Sequence, residues 1–419
     1  MSNNLFTLRS KQLIPFGLIL SLLLMSPFGS NYFLNFFGLY IAEIGILMLI
    51  FSAYIANKGY IINISRITFK PFLVYLYFIF FILLLVGILN HGNFVAAYTD
   101  LRVLIILALS ISISYHYIRD RESLYWLYWL TIACLAFNFI YWLIFFDSID
   151  RQGSKFSFPL SAFVLSMLLA ALLRRIDYLI LAFLLAAVCA LISSFRMAVI
   201  VVIVSFFGYL LCLILSNNNS TKYRIQGKIK ALLILATIFL TSIFFLNLST
   251  FVTFFIEDES RYIQTIVKWE YLFNYLFKGE AIGGGDDTRL LYYQYLIDNF
   301  KLLSFPQGLG HKASIDIINH NLAPTIYQIG ASTLDSSWFF LLYHFGYILL
   351  AISLFLYLIF NHFYLPKISR NYVLYLLVTL FLTIFFMSLT AVHFTEISSA
   401  ISFGLLAGLS AKIFKQNLI

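Results

Sequence analysis

The sequence predicts an all-α polytopic membrane protein of about twelve transmembrane helices with one large extracytoplasmic loop. Three observations support this fold class: 62% of the 419 residues are hydrophobic, only 11% are charged, and long apolar runs recur along the whole chain. A soluble domain usually contains about 25% charged residues and about half apolar residues. The composition therefore excludes an ordinary soluble enzyme and a disordered chain.

The predicted helices follow from length, because a helix needs roughly 20 apolar residues to cross about 30 Å of hydrocarbon. The predicted spans are 13–28, 34–56, 71–89, 101–118, 124–146, 158–173, 178–193, 197–216, 231–255, 338–360, 372–390 and 398–413. The sixth and seventh are short, and a re-entrant segment is the alternative for one of them. The chain is thus divided into helices 1–9 in residues 1–255, a loop over 256–335, and helices 10–12 in residues 336–419.

Basic residues are distributed unequally between the two predicted sides. With a cytoplasmic N-terminus, 17 of the 27 basic residues lie in cytoplasmic segments. The positive-inside rule therefore predicts that both termini are cytoplasmic. The first span follows Arg9 and Lys11 closely but is not followed by a small-x-small cleavage pattern, so we expect a retained signal anchor.

The loop over 256–335 is where the chemistry is expected, because about 80 residues run there without a spanning helix. It contains 10 of the 18 acidic residues and 6 basic residues, so its net charge is −4 and that of the remaining chain is +13. The overall charge of +9 is thus a topology signal, and it gives no support to nucleic-acid binding.

Two stretches of the loop show helical periodicity. Apolar and aromatic residues recur at helical spacing from Tyr262 to Leu276 and from Tyr293 to Leu303, with a glycine-rich turn over 283–288 between them. We expect two amphipathic helices lying along the membrane interface, where they cover a site that opens to the lipid. A lid packed on the bundle without a catalytic part is the alternative.

Arginines on the side that the topology rule avoids are candidates for binding an anion. Arg196 ends a tight turn between two spans, Arg102 opens the fourth span, and Arg289 begins the second loop helix, where backbone N–H groups also favour anions. The planar guanidinium binds phosphate oxygens in pairs, so these arginines are predicted to hold a diphosphate. Arg102 alternatively pairs with Asp100 or extends to the interface, and Glu43, inside the second span, is expected to pair with Arg102 or another base.

Three residues near the end of the loop are candidate general bases, namely His311, His320 and Asp335. An isolated loop histidine is also commonly a surface residue, and an N-cap at the start of the next span explains Asp335 equally well. His344 and His393 lie in or beside predicted spans and are expected to be structural.

Neither a metal nor another cofactor is predicted. The sequence contains no Walker-type phosphate loop, no His-x-x-x-His pair and no paired-carboxylate motif. Cys134, Cys189 and Cys212 lie inside apolar runs with no metal-site spacing, so we expect them to be buried thiols.

Taken together, these features resemble the integral-membrane O-antigen and capsular polysaccharide polymerases, the Wzy family, within the superfamily that includes the O-antigen ligases. The resemblance covers the whole architecture: many spans, both ends cytoplasmic, and a large loop before the last helices. The local matches are Ser-Phe-Arg at 194–196, Thr-Arg at 288–289, Pro-Gln-Gly-Leu-Gly at 306–310, and the segment over 335–347. Ser336 stands where the family has Asn, and the Arg-x10-Gly pattern of some members is absent.

The resemblance implies transfer of a glycan from an undecaprenyl-diphosphate carrier to another lipid-linked repeat unit, at the periplasmic face of the bacterial inner membrane. Arg196 and Arg289 would stabilise the diphosphate leaving group without a metal, and Asp335 or a loop histidine would accept the proton. Membrane lipid and a chain-length regulator protein are the expected partners. The alternatives are an O-antigen ligase that transfers glycan to lipid A-core and, from another class, a polysaccharide flippase or transporter, for which internal repeats are expected.

Overall fold

The structure is a computed structural model that describes residues 70–92, 94–117, 121–145, 160–192, 196–216, 297–310, 337–362, 371–390 and 397–415. These residues are almost entirely helical, and no strand occurs among them, which confirms the predicted all-α class for this part of the chain. Two helical stretches, Val74–His91 and Phe94–Ile111, are long and apolar enough to cross a membrane. The count of twelve spans stays a prediction, because the first, second and ninth predicted spans lie outside the described residues.

Nine α-helices lie within the described ranges. They are α1 (Lys70–His91), α2 (Phe94–Tyr117), α3 (Arg121–Phe145), α4 (Leu160–Leu172), α5 (Ile176–Ile192), α6 (Arg196–Ser216), α7 (Ser337–His362), α8 (Asn371–Thr390) and α9 (Ile397–Lys415). A short 3-10 helix, Leu302–Ser304, leads into the non-helical residues 305–310, which we call the strap. The strap and the turn before it are the described part of the long loop; the first predicted loop helix lies outside it.

The helix α4 forms the centre of the bundle. All 13 of its residues are buried, and α3, α5, α6, α8 and α9 pack around it. At 1.5 Å per residue it is about 20 Å long, which is shorter than the hydrocarbon layer of a bilayer. A helix surrounded by protein has no lipid-facing side, and its apolar residues therefore contact neighbouring helices on every face.

The outer surface of α1 is apolar along its length. Large exposed side chains recur every three or four residues on one face, namely Val74, Phe78, Phe81, Leu85 and Leu89. Residues at this spacing lie on the same side of a helix. A continuous exposed apolar face is typical of a helix that contacts lipid or a partner protein.

Two glycines allow α9 to pack closely against α2. A Cβ at Gly404 would lie 2.6 Å from the Cβ of Ser110, and one at Gly408 would lie 1.9 Å from Oγ of Ser114. Small residues four positions apart are common at helix contacts in membranes, where close packing drives association. The same contacts show that α2 and α9 are parallel, since both helices advance by four residues from the first contact to the second.

Contacts also give the relative directions of two other helix pairs. The Tyr128 hydroxyl donates to the Tyr178 carbonyl (2.8 Å), and Sγ of Cys189 lies 3.7 Å from the Leu135 carbonyl, so α3 and α5 are parallel. The alternating order of the predicted spans requires this direction, as it does for α2 and α9. All three cysteines are buried thiols, as predicted.

A charged turn joins α4 to α5 at the end of the bundle where α3 begins. Arg121 donates to the Leu173 carbonyl (3.2 Å), and Nε of Arg175 donates to Asp177 (2.9 Å). The Arg175 guanidinium beside Asp177 holds the pKa of that carboxyl below its usual value. The guanidinium also lies 4.7 Å from the ring centre of Tyr178. This is the end that the basic residues predict to be cytoplasmic.

Candidate functional site

The strap lies in a notch formed by the end of α1, the start of α2 and the helix α7. The Leu309 N–H donates to the Leu83 carbonyl on α1 (3.0 Å), and the Gly310 N–H donates to Oδ2 of Asp100 on α2 (2.8 Å). The Leu309 side chain is fully buried. The strap therefore joins helices that are more than 200 residues away in the sequence.

Glycine is required where the strap backbone touches the backbone of α1. Gly308 has φ 81°, in the left-handed region that favours glycine, and a Cβ there would lie 2.1 Å from the Gly87 nitrogen. On the other side of the contact, a Cβ at Gly87 would lie 2.0 Å from the Leu309 carbonyl oxygen. Only residues without side chains allow the two backbones to approach this closely.

The helix α7 is broken where the strap contacts it. Gly346 has φ 70° and ψ 160°, which interrupts the helix, and a Cβ there would lie 2.5 Å from the carbonyl carbon of Phe305. The helix covers the predicted span over 338–360, and the break inside it was not predicted from the sequence. A break frees backbone groups that need new partners. The His344 carbonyl finds one in the strap, because it accepts the Gly308 N–H (3.2 Å).

Two histidines bind successive carbonyl groups of the strap. Nδ1 of His344 lies 2.7 Å from the Gly308 carbonyl, and Nε2 of His91 lies 3.0 Å from the Gln307 carbonyl. A carbonyl oxygen only accepts hydrogen bonds, so each of these ring nitrogens must carry a proton and donate. Asn90 is a second donor to the Gln307 carbonyl (3.2 Å).

The histidine on α7 is deeply buried, whereas the one on α1 is at the surface of the notch. His344 is 2% exposed, and its ring centre lies 4.3 Å from that of Phe340. The sequence predicted a structural role for His344, and its contacts with the strap agree with that prediction. The contact between His344 and the strap was not predicted.

Among the predicted anion-binding residues, Arg102 is the one whose side chain the structure describes. It is half-buried on α2, with Nε buried, two residues after the Asp100 carboxylate that binds the strap. Arg196 is the first residue of α6. Arg289 lies outside the described residues, as does Glu43 of the second predicted span.

The three candidate bases also lie outside the described residues. Two of them adjoin described segments in the sequence: His311 directly follows Gly310 of the strap, and Asp335 precedes Ser337, the first residue of α7, by two positions. His320 is ten residues beyond Gly310.

Sequence reasoning did not connect any side chain with the strap. The sequence offered one indication of this contact. The predicted outer ends of the third and fourth spans carry polar residues, namely Asn90, His91 and Asp100. Their common partner, the strap, was noted only as a sequence motif. Among the described residues, no group of three or more His, Cys, Asp or Glu side chains is arranged to hold a metal ion.

No family model matches the chain, and no curated protein matches it.

Proposed function

We propose that this protein is a polysaccharide polymerase that joins undecaprenyl-diphosphate-linked repeat units at the periplasmic face of the bacterial inner membrane. The observation that supports this most is the docking of the strap. Residues 306–310, which resemble a loop motif of the polymerase family, bind the adjoining ends of α1 and α2 and the break in α7. The loop motif and the half-buried Arg102 thus lie at one end of an apolar helical bundle.

In the proposed reaction, a hydroxyl oxygen of the acceptor glycan attacks the anomeric carbon of the donor. The bond from that carbon to the diphosphate oxygen breaks, the hydroxyl proton passes to a general base, and undecaprenyl diphosphate leaves. Negative charge therefore develops on the leaving group, where Arg102, Arg196 and Arg289 are proposed to stabilise it. Arg196 is the first residue of α6, where the helix dipole also favours an anion.

Asp335 and His311 are the preferred candidates for the general base. Each is adjacent in the sequence to a segment held by the contacts of the notch, Asp335 through α7 and His311 through the strap. A general base that is held at a fixed position relative to the substrate lowers the barrier of a transfer reaction. His320 is kept as the third candidate.

Deleting the gene in its own host tests the reaction class. A polymerase is indicated if lipopolysaccharide then carries a single repeat unit, or if capsule polymer is replaced by single lipid-linked units. Complete loss of attached glycan, with long polymer retained on undecaprenyl diphosphate, would indicate a ligase. Repeat units that accumulate only at the cytoplasmic face would indicate a flippase.

The diphosphate assignment is tested by replacing the three arginines one at a time. We expect Arg196→Ala, Arg289→Ala and Arg102→Ala each to lower chain extension on the order of 100-fold or more, because each removes charge stabilisation of the leaving group. Polymer length is measured by gel electrophoresis of membrane extracts, with each variant normalised to its amount in the membrane.

Lys301→Ala is the matched control. Lys301 is an exposed basic residue in the same loop, just before the 3-10 helix. Its replacement removes the same charge from the same side of the membrane and is expected to leave polymer length unchanged. Normal long polymer from all three arginine variants would contradict the assignment.

A further inference from the structure

The charged turn between α4 and α5 lies beside a group of aromatic rings that the proposed chemistry does not use. This aromatic cluster consists of Tyr125, Tyr128, Trp129 and Tyr178. The Tyr178 ring is at its centre, 4.7 Å from the ring of Tyr128 and 5.9 Å from that of Tyr125. Tyr128 is fully buried, whereas Trp129 is 46% exposed, so the cluster extends from the core of the bundle to its outer surface.

Two guanidinium groups lie over this aromatic cluster. The Cζ atom of Arg121 is 5.9 Å from the centre of the Tyr125 ring, and that of Arg175 is 4.7 Å from the centre of the Tyr178 ring. An aromatic ring attracts a cation at such distances without neutralising its charge. The cluster therefore holds both arginines at one end of the bundle, over neighbouring rings.

Both arginines keep N–H groups that can bind an anion. Arg121 donates one N–H to the Leu173 carbonyl (3.2 Å), and Arg175 donates two to the Asp177 carboxylate. A guanidinium has five N–H groups, so these bonds use only part of each one. The planar guanidinium also matches the oxygens of a phosphate group, which it binds in pairs.

The charge of this surface matches an anion with a single negative charge. Among the described residues of the turn and the start of α3, three exposed arginines accompany two exposed carboxylates, so the charges sum to +1. These residues are Arg121, Arg174, Arg175, Glu122 and Asp177. A phosphodiester carries one negative charge and therefore balances the surface.

Arg174 occupies a position where glycine is the usual residue. It lies two residues after α4 and has φ 55°, in the left-handed region that side chains disfavour. Strained residues of this kind are common at binding sites. An arginine at this place is therefore expected where its charge is used.

Beyond the aromatic cluster, α3 and α5 border an apolar groove. The exposed residues along it recur every three or four positions, namely Trp129, Ala133, Phe137 and Ile140 on α3 and Leu181, Leu184 and Val188 on α5. The two rows border the same groove, because Trp129 contacts Tyr178, one turn before Leu181. From Tyr178 to Val188 the helix rises about 15 Å, which is the depth of one leaflet in a hydrocarbon layer about 30 Å thick.

We propose that the charged turn and this groove bind one anionic phospholipid. Its phosphate accepts hydrogen bonds from Arg121 and Arg175, and Arg174 adds positive charge. Its glycerol esters lie beside Trp129, and its acyl chains lie along the two apolar rows. Charged, aromatic and apolar zones thus follow one another in the order of the phosphate, ester and hydrocarbon parts of a phospholipid. The inference is independent of the proposed polymerase function.

The test measures lipid binding to the full-length protein in detergent by native mass spectrometry. Dioleoylphosphatidylglycerol is the probe, and dioleoylphosphatidylcholine, which has the same acyl chains and no net charge, is the reference. We expect the dissociation constant of phosphatidylglycerol to be lower by about fivefold or more, since one charge near a basic surface contributes about that factor. Equal dissociation constants for the two lipids would overturn the proposal.

Arg121→Gln and Arg174→Gly each remove one positive charge from the site. Each should weaken phosphatidylglycerol binding about fivefold and leave phosphatidylcholine binding within about twofold. Glycine suits the left-handed backbone at position 174, so Arg174→Gly carries the test if Arg121→Gln lowers the yield of folded protein.

Lys301→Gln is the matched control, because it removes one exposed positive charge at the strap end of the bundle. It should bind phosphatidylglycerol as the unmodified protein does. Unchanged phosphatidylglycerol binding in the arginine variants, or an equal loss in Lys301→Gln, would overturn the assignment of the site.

Glycerophosphoglycerol tests the contribution of the groove, because it is the same headgroup without acyl chains. It should not displace phosphatidylglycerol even at about a hundredfold molar excess, since its binding lacks the burial of the chains. Displacement by glycerophosphoglycerol would show that the turn binds a free phosphodiester, and would overturn the lipid as the ligand.

Discussion

Gly92 and Gly308 both have left-handed backbone conformations, and comparing them shows which residue the strap requires at Gly308. Gly92, between α1 and α2, has φ 65° and no atom within 4 Å of the place where a Cβ would stand. Gly308 has φ 81°, but its Cβ would overlap the backbone of α1 at Gly87. Both positions favour glycine because of their left-handed backbone. Only Gly308 also requires glycine because its backbone lies against the backbone of α1.

Replacing each glycine with alanine separates these two requirements. Gly92→Ala should cost about 1–2 kcal/mol of folding stability, because alanine disfavours the left-handed conformation. Gly308→Ala should cost clearly more, since the strap must also move out of the notch. Thermal unfolding of the purified protein in detergent measures the difference, and equal losses in the two variants would contradict the close contact seen in the structure.

At this scale the sequence identified residue types but not their partners. The motif at 306–310 was noted as a local resemblance, and His344 was predicted to be structural, but nothing in the sequence joined them. Gly308 and His344 are 36 positions apart, and Gly310 and Asp100 are 210 apart. Contacts across such distances follow from how helices pack, which hydropathy does not report.

At the scale of helices, hydropathy predicted boundaries well where a helix is uniformly apolar. The predicted spans 158–173 and 372–390 correspond to α4 (Leu160–Leu172) and α8 (Asn371–Thr390). It failed at the break in α7, because a glycine inside an apolar run has the same hydropathy whether or not it is helical. The strap lies against the break, because Phe305 and Pro306 pack against Gly346.

The contact between α2 and α9 leads to a prediction about helix packing. Gly408→Ala would bring a methyl group within 1.9 Å of the Ser114 hydroxyl and 2.4 Å of the Ile111 carbonyl, so the helices must separate. We expect a loss of about 1–3 kcal/mol, as for other overpacked contacts, measured as a lower melting temperature. Ala133→Val, which adds two methyl groups at an exposed position of α3, should change stability by less than about 0.5 kcal/mol. A Gly408→Ala variant that melts like the control would argue against close packing of α2 and α9.

At the scale of the whole molecule, the contacts agree with the alternating helix directions that the sequence predicts. Besides the two parallel pairs, α1 and α7 are antiparallel: Tyr75 binds Ser353 (3.1 Å) at one end of the pair, and the strap binds His91 and His344 at the other. Charge asymmetry and hydropathy are properties of the whole chain. For this reason they predict the directions of helices better than they predict contacts between individual residues.

Accessibility to a reagent tests these directions across the membrane. Cysteines at the exposed positions Phe94 and Lys301 should react with a membrane-impermeant maleimide in intact spheroplasts, because both lie at the strap end of the bundle. Cysteines at Arg121 and Arg175 should react only after permeabilisation. The native cysteines are buried and should give little background. If cysteines at Phe94 and Lys301 reacted from opposite sides of the membrane, the two positions could not lie at the same end of the bundle. If all four positions showed the opposite accessibility, the predicted orientation in the membrane would be inverted.

The position of the strap in the chain also has a consequence for biosynthesis. The ribosome makes α1 and α2 long before the strap, because Asp100 and Gly310 are 210 residues apart. At about 5–20 residues per second, the interval is on the order of 10–40 s. Throughout that time the Leu83 carbonyl and the Asp100 carboxylate have no strap to bind. Because α7 also forms the notch and is made after the strap, the notch is complete only in a chain that has been synthesised past residue 362.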